Sequence, residues 1–294
     1  MSGRRILLVH AHPDDETITT GGTIAHYAAQ GDSVTVLTCT LGEEGEVIGE
    51  EWAGLVADRA DQLGGFRILE LTEALRALGV GGPNFLLGAG RFRDSGMAGT
   101  PAAANPRAFV NADVDRAVAA FVEVIRRLRP HVVVTYDEVG GYGHPDHIQA
   151  HRLVTAAVQA SDSDQFPEAG PRWDVPKLYW TVTEASSLEA ELCRIGELPD
   201  GWRMPDPGEL PSVPDSAVTT AVDVADVMDA KRAALGAHAT QVTVAPGGRE
   251  YALSNNIAQP VLETEHFVLV RGELGECDEI GRERDLFSGI TSTE

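Results

Sequence analysis

Short apolar, β-branched runs alternate with amphipathic stretches through the first half of the chain. Ile6-Leu7-Leu8-Val9 lies in a strand predicted over residues 5–10, since a bounded apolar run of this length suits a strand buried on both faces. Residues 17–30 read as a helix with Ile18, Ile24, Ala25 and Ala28 available for packing, and Gly31-Asp32 turns into a second strand over residues 33–38. A strand–helix–strand unit implies parallel pairing with a right-handed crossover. Helices are predicted over residues 50–63 and 70–78, broken at Gly64-Gly65, and residues 84–87 read as a short third strand. Residues 88–105, rich in Gly, Ala and Pro, read as a long ordered loop, a feature that is often functional. Residues 114–128 form an amphipathic helix stopped by Pro130; residues 131–136 are a strand and 145–160 the helix after it.

Residues 161–176 are polar and carry Pro167, Gly170, Pro171 and Pro176, which makes them the boundary between two regions. Residues 1–165 read as a Rossmann-like domain and 166–294 as an extension packed on it. In the extension, residues 177–182 and 266–270 read as strands and 224–238 as a helix. The Pro-rich residues 199–214 read as an irregular connection, and residues 291–294 as a frayed end. The fold class is therefore α/β, a doubly wound and mostly parallel sheet with a C-terminal α/β extension. Dinucleotide binding needs GxGxxG after the first strand, where this chain has His10-Ala11-His12-Pro13-Asp14-Asp15-Glu16 instead.

Composition narrows the function. A chain of 294 residues with 43% hydrophobic content can build a large core. Its net charge of −22 argues against nucleic acid and against anionic lipid as partners. Cys39, Cys193 and Cys277 are widely spaced, with no CxxC pair, so neither a disulfide framework nor a thiolate zinc site is expected. The apolar run after Arg4-Arg5 is too short for a signal segment, and no stretch approaches a membrane span, so a cytoplasmic protein is expected.

Two segments echo each other: His12-Pro13-Asp14-Asp15 and His144-Pro145-Asp146-His147. Each follows an apolar strand, at the sheet edge where open α/β folds bind ligands. A lone HxxD reads equally well as an N-cap aspartate beside a surface histidine. Two clusters after two strands point to one metal site assembled from both. Two imidazoles, one carboxylate and a water make the ligand set of many catalytic zinc sites. Asp14, adjacent to the ligands, is then left over as a base. Ferrous iron suits the same ligand types. His10 reads as packed or supporting, His26 and His131 as structural or exposed, and His151 as a helix-surface residue one turn after His147. His266 is unassigned. Tyr142, set among Gly140, Gly141 and Gly143, stands on a loop able to swing its hydroxyl toward a substrate.

On these residues the chain resembles the PIG-L/LmbE-like family of zinc-dependent N-acetylglucosaminyl deacetylases, whose strand–HPDD and later HPDH pattern it meets in full. Thr40-Leu41-Gly42-Glu43-Glu44-Gly45-Glu46, Arg67 after Gly64-Gly65, Arg93-Asp94-Ser95-Gly96-Met97 and Ala237-His238-Ala239-Thr240-Gln241 are similar to the mycothiol branch. The resemblance covers most of the chain and is weakest over residues 161–214. It implies zinc ligands at His12, Asp15 and His147, and Asp14 as general base. It implies that His144, held by Asp146, stabilises the oxyanion or protonates the leaving amine, with Tyr142 as a mobile second oxyanion contact. Arg67, Asp94 and Glu46 are implied as binders of sugar or inositol hydroxyls. The implied substrate is a small amino-sugar inositol, 1-D-myo-inosityl 2-acetamido-2-deoxy-α-D-glucopyranoside; oligomeric state is not implied.

The nearest rival is the sister amidase that cleaves mycothiol S-conjugates. That branch favours a lysine just after HPDDE, and Thr17-Ile18-Thr19-Thr20 has none. A non-haem iron oxygenase also uses two histidines and a carboxylate, but usually on an all-β scaffold. A sugar-binding module would have no need of Asp14 beside the ligands.

Overall fold

Strand β1 (Arg5–His10) shows how the molecule is layered, because its alternate residues enter different cores. Ile6 and Leu8 face one side, with Ile24, Leu71, Leu75 and Leu235; Leu7 and Val9 face the other, with Phe121, Ile125 and Leu153. Both faces are covered, as the unbroken apolar run requires. The structure, a computed structural model, describes residues 3–290, so the frayed end expected at residues 291–294 lies outside the described residues.

Strands β1, β2 (Ser33–Thr38), β3 (Asn84–Phe85), β4 (Val132–Tyr136) and β5 (Lys177–Val182) pair in parallel in the order β3-β2-β1-β4-β5. The sheet then continues into the C-terminal region. Strand β6 (Thr220–Asp223) is the far edge, and β7 (Thr243–Val244), β8 (Glu250–Ala252) and β9 (Gln259–Pro260) form a separate small sheet. Strand β10 (Thr264–Arg271) inserts between β5 and β6, antiparallel to both. Helices α1 (Asp15–Ala29), α2 (Leu63–Ala77) and α6 (Met228–Ala237) cover one face. Helices α3 (Val114–Leu128) and α4 (Pro145–Ser161) cover the other, and α5 (Ala185–Leu192) lies near the small sheet. The doubly wound, mostly parallel α/β sheet is as expected. Its order reverses at β1 and β4, so the loops after these two strands flank the topological switch point.

Three sequence expectations are corrected. Residues 50–63 are not a helix: a short 3-10 turn, Glu50–Trp52, gives way to irregular turns. Helix α2 instead runs unbroken through Gly64 and Gly65. Both glycines sit in its first turn, where backbone N–H groups lack helical partners in any case. A Cβ on Gly64 would come 2.6 Å from Glu43 Cγ, so this glycine serves close approach to the Glu43 loop. Helix α1 begins at Asp15, two residues before the expected start, and so carries Asp15 on its first turn.

Contacts between the extension and the first region are polar as well as apolar: buried Glu265 of β10 accepts the Gly22 and Thr23 N–H groups of α1 at 2.8 and 2.7 Å. Val224 lies against Gly22 of α1, where a Cβ would meet Val224 Cγ2 at 2.5 Å. Within the extension, Glu283, fully buried, accepts hydrogen bonds from Tyr179 (2.6 Å), Thr220 (3.0 Å), the Gly275 N–H and Lys177. Removing one partner of a buried pair leaves the other charge unsolvated, at a cost of about 3–5 kcal/mol. Glu283→Ala should therefore lower unfolding stability by about that amount. Urea denaturation checks this, and an unchanged midpoint would show the cluster to be dispensable.

Candidate metal and catalytic site

Both histidine motifs follow strands that end at the switch point. Strand β1 ends at His10, and the chain turns through His12 and Asp14 into α1; β4 ends at Tyr136, and a glycine-rich turn leads to His144 and α4. Asp14 adopts φ 107° and ψ −36°, outside the conformations an L-residue ordinarily takes. Such strain persists only where surrounding contacts enforce it, and it clusters at functional sites.

The geometry joins His12, Asp15 and His147. His12 Nδ1 lies 3.3 Å from Asp15 Oδ2, His147 Nε2 lies 3.2 Å from the same oxygen, and the two nitrogens are 3.3 Å apart. The outer ring nitrogens fix the tautomers. His147 Nδ1–H donates to the Gly140 carbonyl (3.1 Å), and His12 Nε2–H donates to Asp146 Oδ2 (3.2 Å). In the neutral forms that metal binding requires, each histidine presents a lone pair to the other and to a carboxylate oxygen. Three such atoms repel one another unless a proton or a metal ion lies between them; with no metal, burial pushes the His12 pKa down, but Asp94, Asp146 and Asp15 outweigh it and hold it well above its ordinary value. A tetrahedral ion with bonds of about 2.0–2.1 Å spaces its ligand atoms about 3.3 Å apart. The residues present therefore fit a metal ion.

Asp15 is itself held in place. Its Oδ2 accepts the Tyr136 hydroxyl (2.7 Å) and the His12 N–H (2.9 Å), while the Tyr136 oxygen accepts the Ala11 N–H (2.8 Å). Burial pushes the Asp15 carboxyl up, but His147 and His12 outweigh it and hold the group well below the usual carboxylate range. Gly140 must be glycine here: its φ is 65°, and a Cβ would lie 2.6 Å from His147 Cβ.

His144 also lies within ligand range of His12 and His147, the three donor atoms falling within 4.8 Å. Its Nδ1, however, accepts the Asp146 backbone N–H at 3.1 Å as the helix cap, which leaves a proton on Nε2. His144 therefore faces the site as a hydrogen-bond donor. Burial, with His12 and His147 beside it, lowers its pKa to about 3, so the ring is neutral. The Asp146 carboxylate meets His12 and the Ser95 N–H (2.9 Å); its only link to His144 is through its backbone.

Asp14 lines the same cavity as His12, Asp15 and His147. Burial raises its carboxyl to about 6, opposed by Arg67, whose guanidinium lies 3.2 Å from Asp14 Oδ2. Arg67 also donates to the Gly42 carbonyl (2.7 Å) and to the Pro13 carbonyl, so the chain itself occupies much of it. Asp94 comes 3.5 Å from His12 Nε2 and 4.0 Å from His144 Nε2, and it accepts the Gly96 N–H at 2.8 Å. Glu46 lies at the rim, accepting the Ser254 hydroxyl at 2.9 Å. Tyr142 is 55% exposed, its ring 5.0 Å from that of His147.

These side chains line a cavity of about 1090 Å³, whose far walls include Gln241, Tyr251 and Ser254 of the extension. Of the remaining histidines, His10 is buried against Thr20 (3.1 Å) and edge-on to Tyr136. His131 is buried and accepts the Arg5 N–H (3.1 Å), His151 meets the Tyr136 carbonyl (3.0 Å), and His266 lines the cavity near Glu184. Tyr136 is the supporting residue the sequence reading missed. Its place was readable, at the end of the parallel strand Val132–Tyr136 where ligands gather, but its partner Asp15 was not.

Comparison with known proteins identifies the family. The family model described as PIG-L, GlcNAc-PI de-N-acetylase, matches residues 7–158. A protein of Rhodococcus opacus (strain B4) named 1D-myo-inositol 2-acetamido-2-deoxy-alpha-D-glucopyranoside deacetylase is 76% identical over 290 residues, covering 99% of each chain. A protein of the same name from Rhodococcus jostii (strain RHA1) is 74% identical over 290 residues, again covering 99% of each. Among solved structures, the conserved protein TT1542 from Thermus thermophilus superposes with a TM-score of 0.51 at 26% identity, over 80% of this chain and 78% of its own. With the family pattern matched over β1 to α4 and whole-length relatives this similar, the chain belongs to the PIG-L family of GlcNAc-PI de-N-acetylases.

Proposed function

We propose that this enzyme removes the acetyl group from 1D-myo-inosityl 2-acetamido-2-deoxy-α-D-glucopyranoside, using zinc and releasing acetate and the free amine, as a step of mycothiol biosynthesis. The observation that carries the chemistry is the triangle of donor atoms on His12, Asp15 and His147, with Asp14 lining the same cavity. The substrate follows from whole-length similarity to deacetylases of that name. Zinc suits the tetrahedral nitrogen and oxygen donor set; ferrous iron is the alternative occupant. Residues 1–165 supply the metal-binding domain, and residues 166–294 complete the substrate site through Gln241, Tyr251 and Ser254. Among the described residues no helix is long and apolar enough to cross a membrane, and the three free cysteines suit a reducing, cytoplasmic setting.

His12, Asp15 and His147 would hold the ion. When bound, it supplies Lewis acidity, which polarises an acetamide carbonyl and makes water acidic near neutral pH. Asp14 takes the proton of the attacking water, and its raised pKa suits it to give that proton up again to the departing amine. His144 donates its Nε2–H to the developing oxyanion as a neutral imidazole. Tyr142, on its glycine turn, supplies a second hydroxyl contact to that oxygen. Asp146 keeps the His12 tautomer. Asp94 and Glu46 accept from sugar and inositol hydroxyls, and Arg67 donates to them with what Asp14 and the two carbonyls leave free.

The test is amine release from N-acetylglucosaminyl-inositol by protein stripped with a chelator and then reloaded with zinc or ferrous iron. Restored release supports the reading. No release under either metal, with a bulky mycothiol conjugate cleaved instead, would move the chain to the amidase activity. The Tyr136 hydroxyl supports Asp15 from outside, so Tyr136→Phe should weaken metal binding about 10–100-fold. Competition with a metallochromic chelator measures this, and unaltered affinity would remove Tyr136 from the site's support.

A further inference from the structure

The proposed base is gripped on two sides, and only one grip is explained by Arg67. The other is on the backbone. Glu16 Oε2 accepts the Asp14 N–H at 3.0 Å. Its other oxygen, Oε1, accepts the Thr17 hydroxyl at 2.6 Å and His238 Nε2–H at 2.9 Å. Glu16 and His238 are both fully buried.

His238 caps the end of α6 in the extension, and the turn after it is fastened in turn. Thr240 donates through its N–H (2.7 Å) and its hydroxyl (2.9 Å) to buried Glu70 of α2, the helix that carries Arg67. One helix thus holds the Asp14 side chain directly, and its Glu70 anchors the turn that steadies the Asp14 backbone.

A residue at φ 107° does not hold that conformation unaided. Asp14 is the N-cap of α1, and among the described hydrogen bonds its N–H donates to Glu16. We propose that Glu16, braced by His238 from the C-terminal extension, is a positioning residue that locks the strained backbone of Asp14 and so aims its carboxylate. The extension then acts on the chemical step as well as on substrate binding. This inference rests on Asp14 being the base of the deacetylation proposed above.

The experiment compares wild type, Glu16→Ala, Glu16→Gln and His238→Phe, each assayed for metal content, melting temperature, kcat and KM on N-acetylglucosaminyl-inositol. Misplacing a reacting group by about 1 Å costs on the order of a hundredfold. Glu16→Ala should lose about that much kcat, with metal content and KM near wild type. Glu16→Gln retains an acceptor for the Asp14 N–H and should recover most of the loss; His238→Phe should fall between the two. In an Asp14→Asn background, Glu16→Ala should cost less than about threefold more, because two residues acting as a unit are not additive. A kcat within about threefold of wild type for metal-loaded Glu16→Ala, or full additivity in the double variant, overturns the inference. Should Glu16→Ala not fold, Glu16→Gln decides: a metal-loaded Gln variant as inactive as Asp14→Asn overturns it. Wild-type inactivity on this substrate is a different result, which overturns the deacetylase reading itself.

Discussion

His147→Ala yields a protein that holds no stoichiometric metal after gel filtration and releases amine at about a thousandth of the wild-type rate or less, the loss of several kcal/mol of Lewis-acid stabilisation. The reason is geometric. Without His147 Nε2 the remaining pair, His12 Nδ1 and Asp15 Oδ2, closes only one edge of the triangle. His144 cannot take its place while its Nδ1 is committed to the Asp146 N–H and its Nε2 carries the proton. The fold should survive, because α4 keeps its cap at His144 and its apolar face at Leu153 and Val154. Metal analysis beside the rate decides the matter: full occupancy in this variant would mean the ligands are another trio, with His12, Asp94 and Asp146 next in line.

Asp14→Asn separates binding from turnover. Asparagine keeps the size of the side chain and leaves all three ligand atoms in place, so metal content stays at wild type while kcat falls about 10²–10⁴-fold, the range for loss of a general base. The pH profile supplies a second sign. Burial raises the Asp14 carboxyl to about 6, and a protonated carboxyl cannot accept a proton from water, so the wild-type rate falls as pH drops through that region. A cation beside it favours the ionised form and moves the limb to lower pH. The residual rate of Asp14→Asn should lack this limb. Turnover equal to wild type would remove Asp14 from the chemistry.

The part of the site that could be read from the sequence is the part written in contiguous residues. HPDD and HPDH each follow an apolar run, so their placement at one sheet edge needed only strand and helix periodicity. Support from distant residues was not readable in this way. Tyr136 reaches Asp15 across 121 positions and Asp146 reaches His12 across 134, and no local pattern encodes such pairs. The same logic governs the fold. Parallel strands β1, β2, β4 and β5 carry period and composition, whereas β7, β8 and β9 are two or three residues long and owe their existence to pairing with one another. Gly64-Gly65 misled because a glycine pair was read as a helix stop, when Glu43 and Leu41 packing on Gly64 made it a helix start.

The insertion of β10 between β5 and β6 has a consequence for how the chain matures on the ribosome. Strand β5 can pair with β4 as soon as residue 182 has emerged, but its other edge stays bare until residues 264–271 are synthesised, because its partner there is the last strand of the sheet. At roughly 5–20 residues per second, that edge is unpaired for several seconds in every nascent chain. Unpaired strand edges template association with other chains. Chains truncated before Thr264 should therefore aggregate during translation, and a stalled-ribosome series ending on either side of residue 271 should show protease resistance appearing in one step.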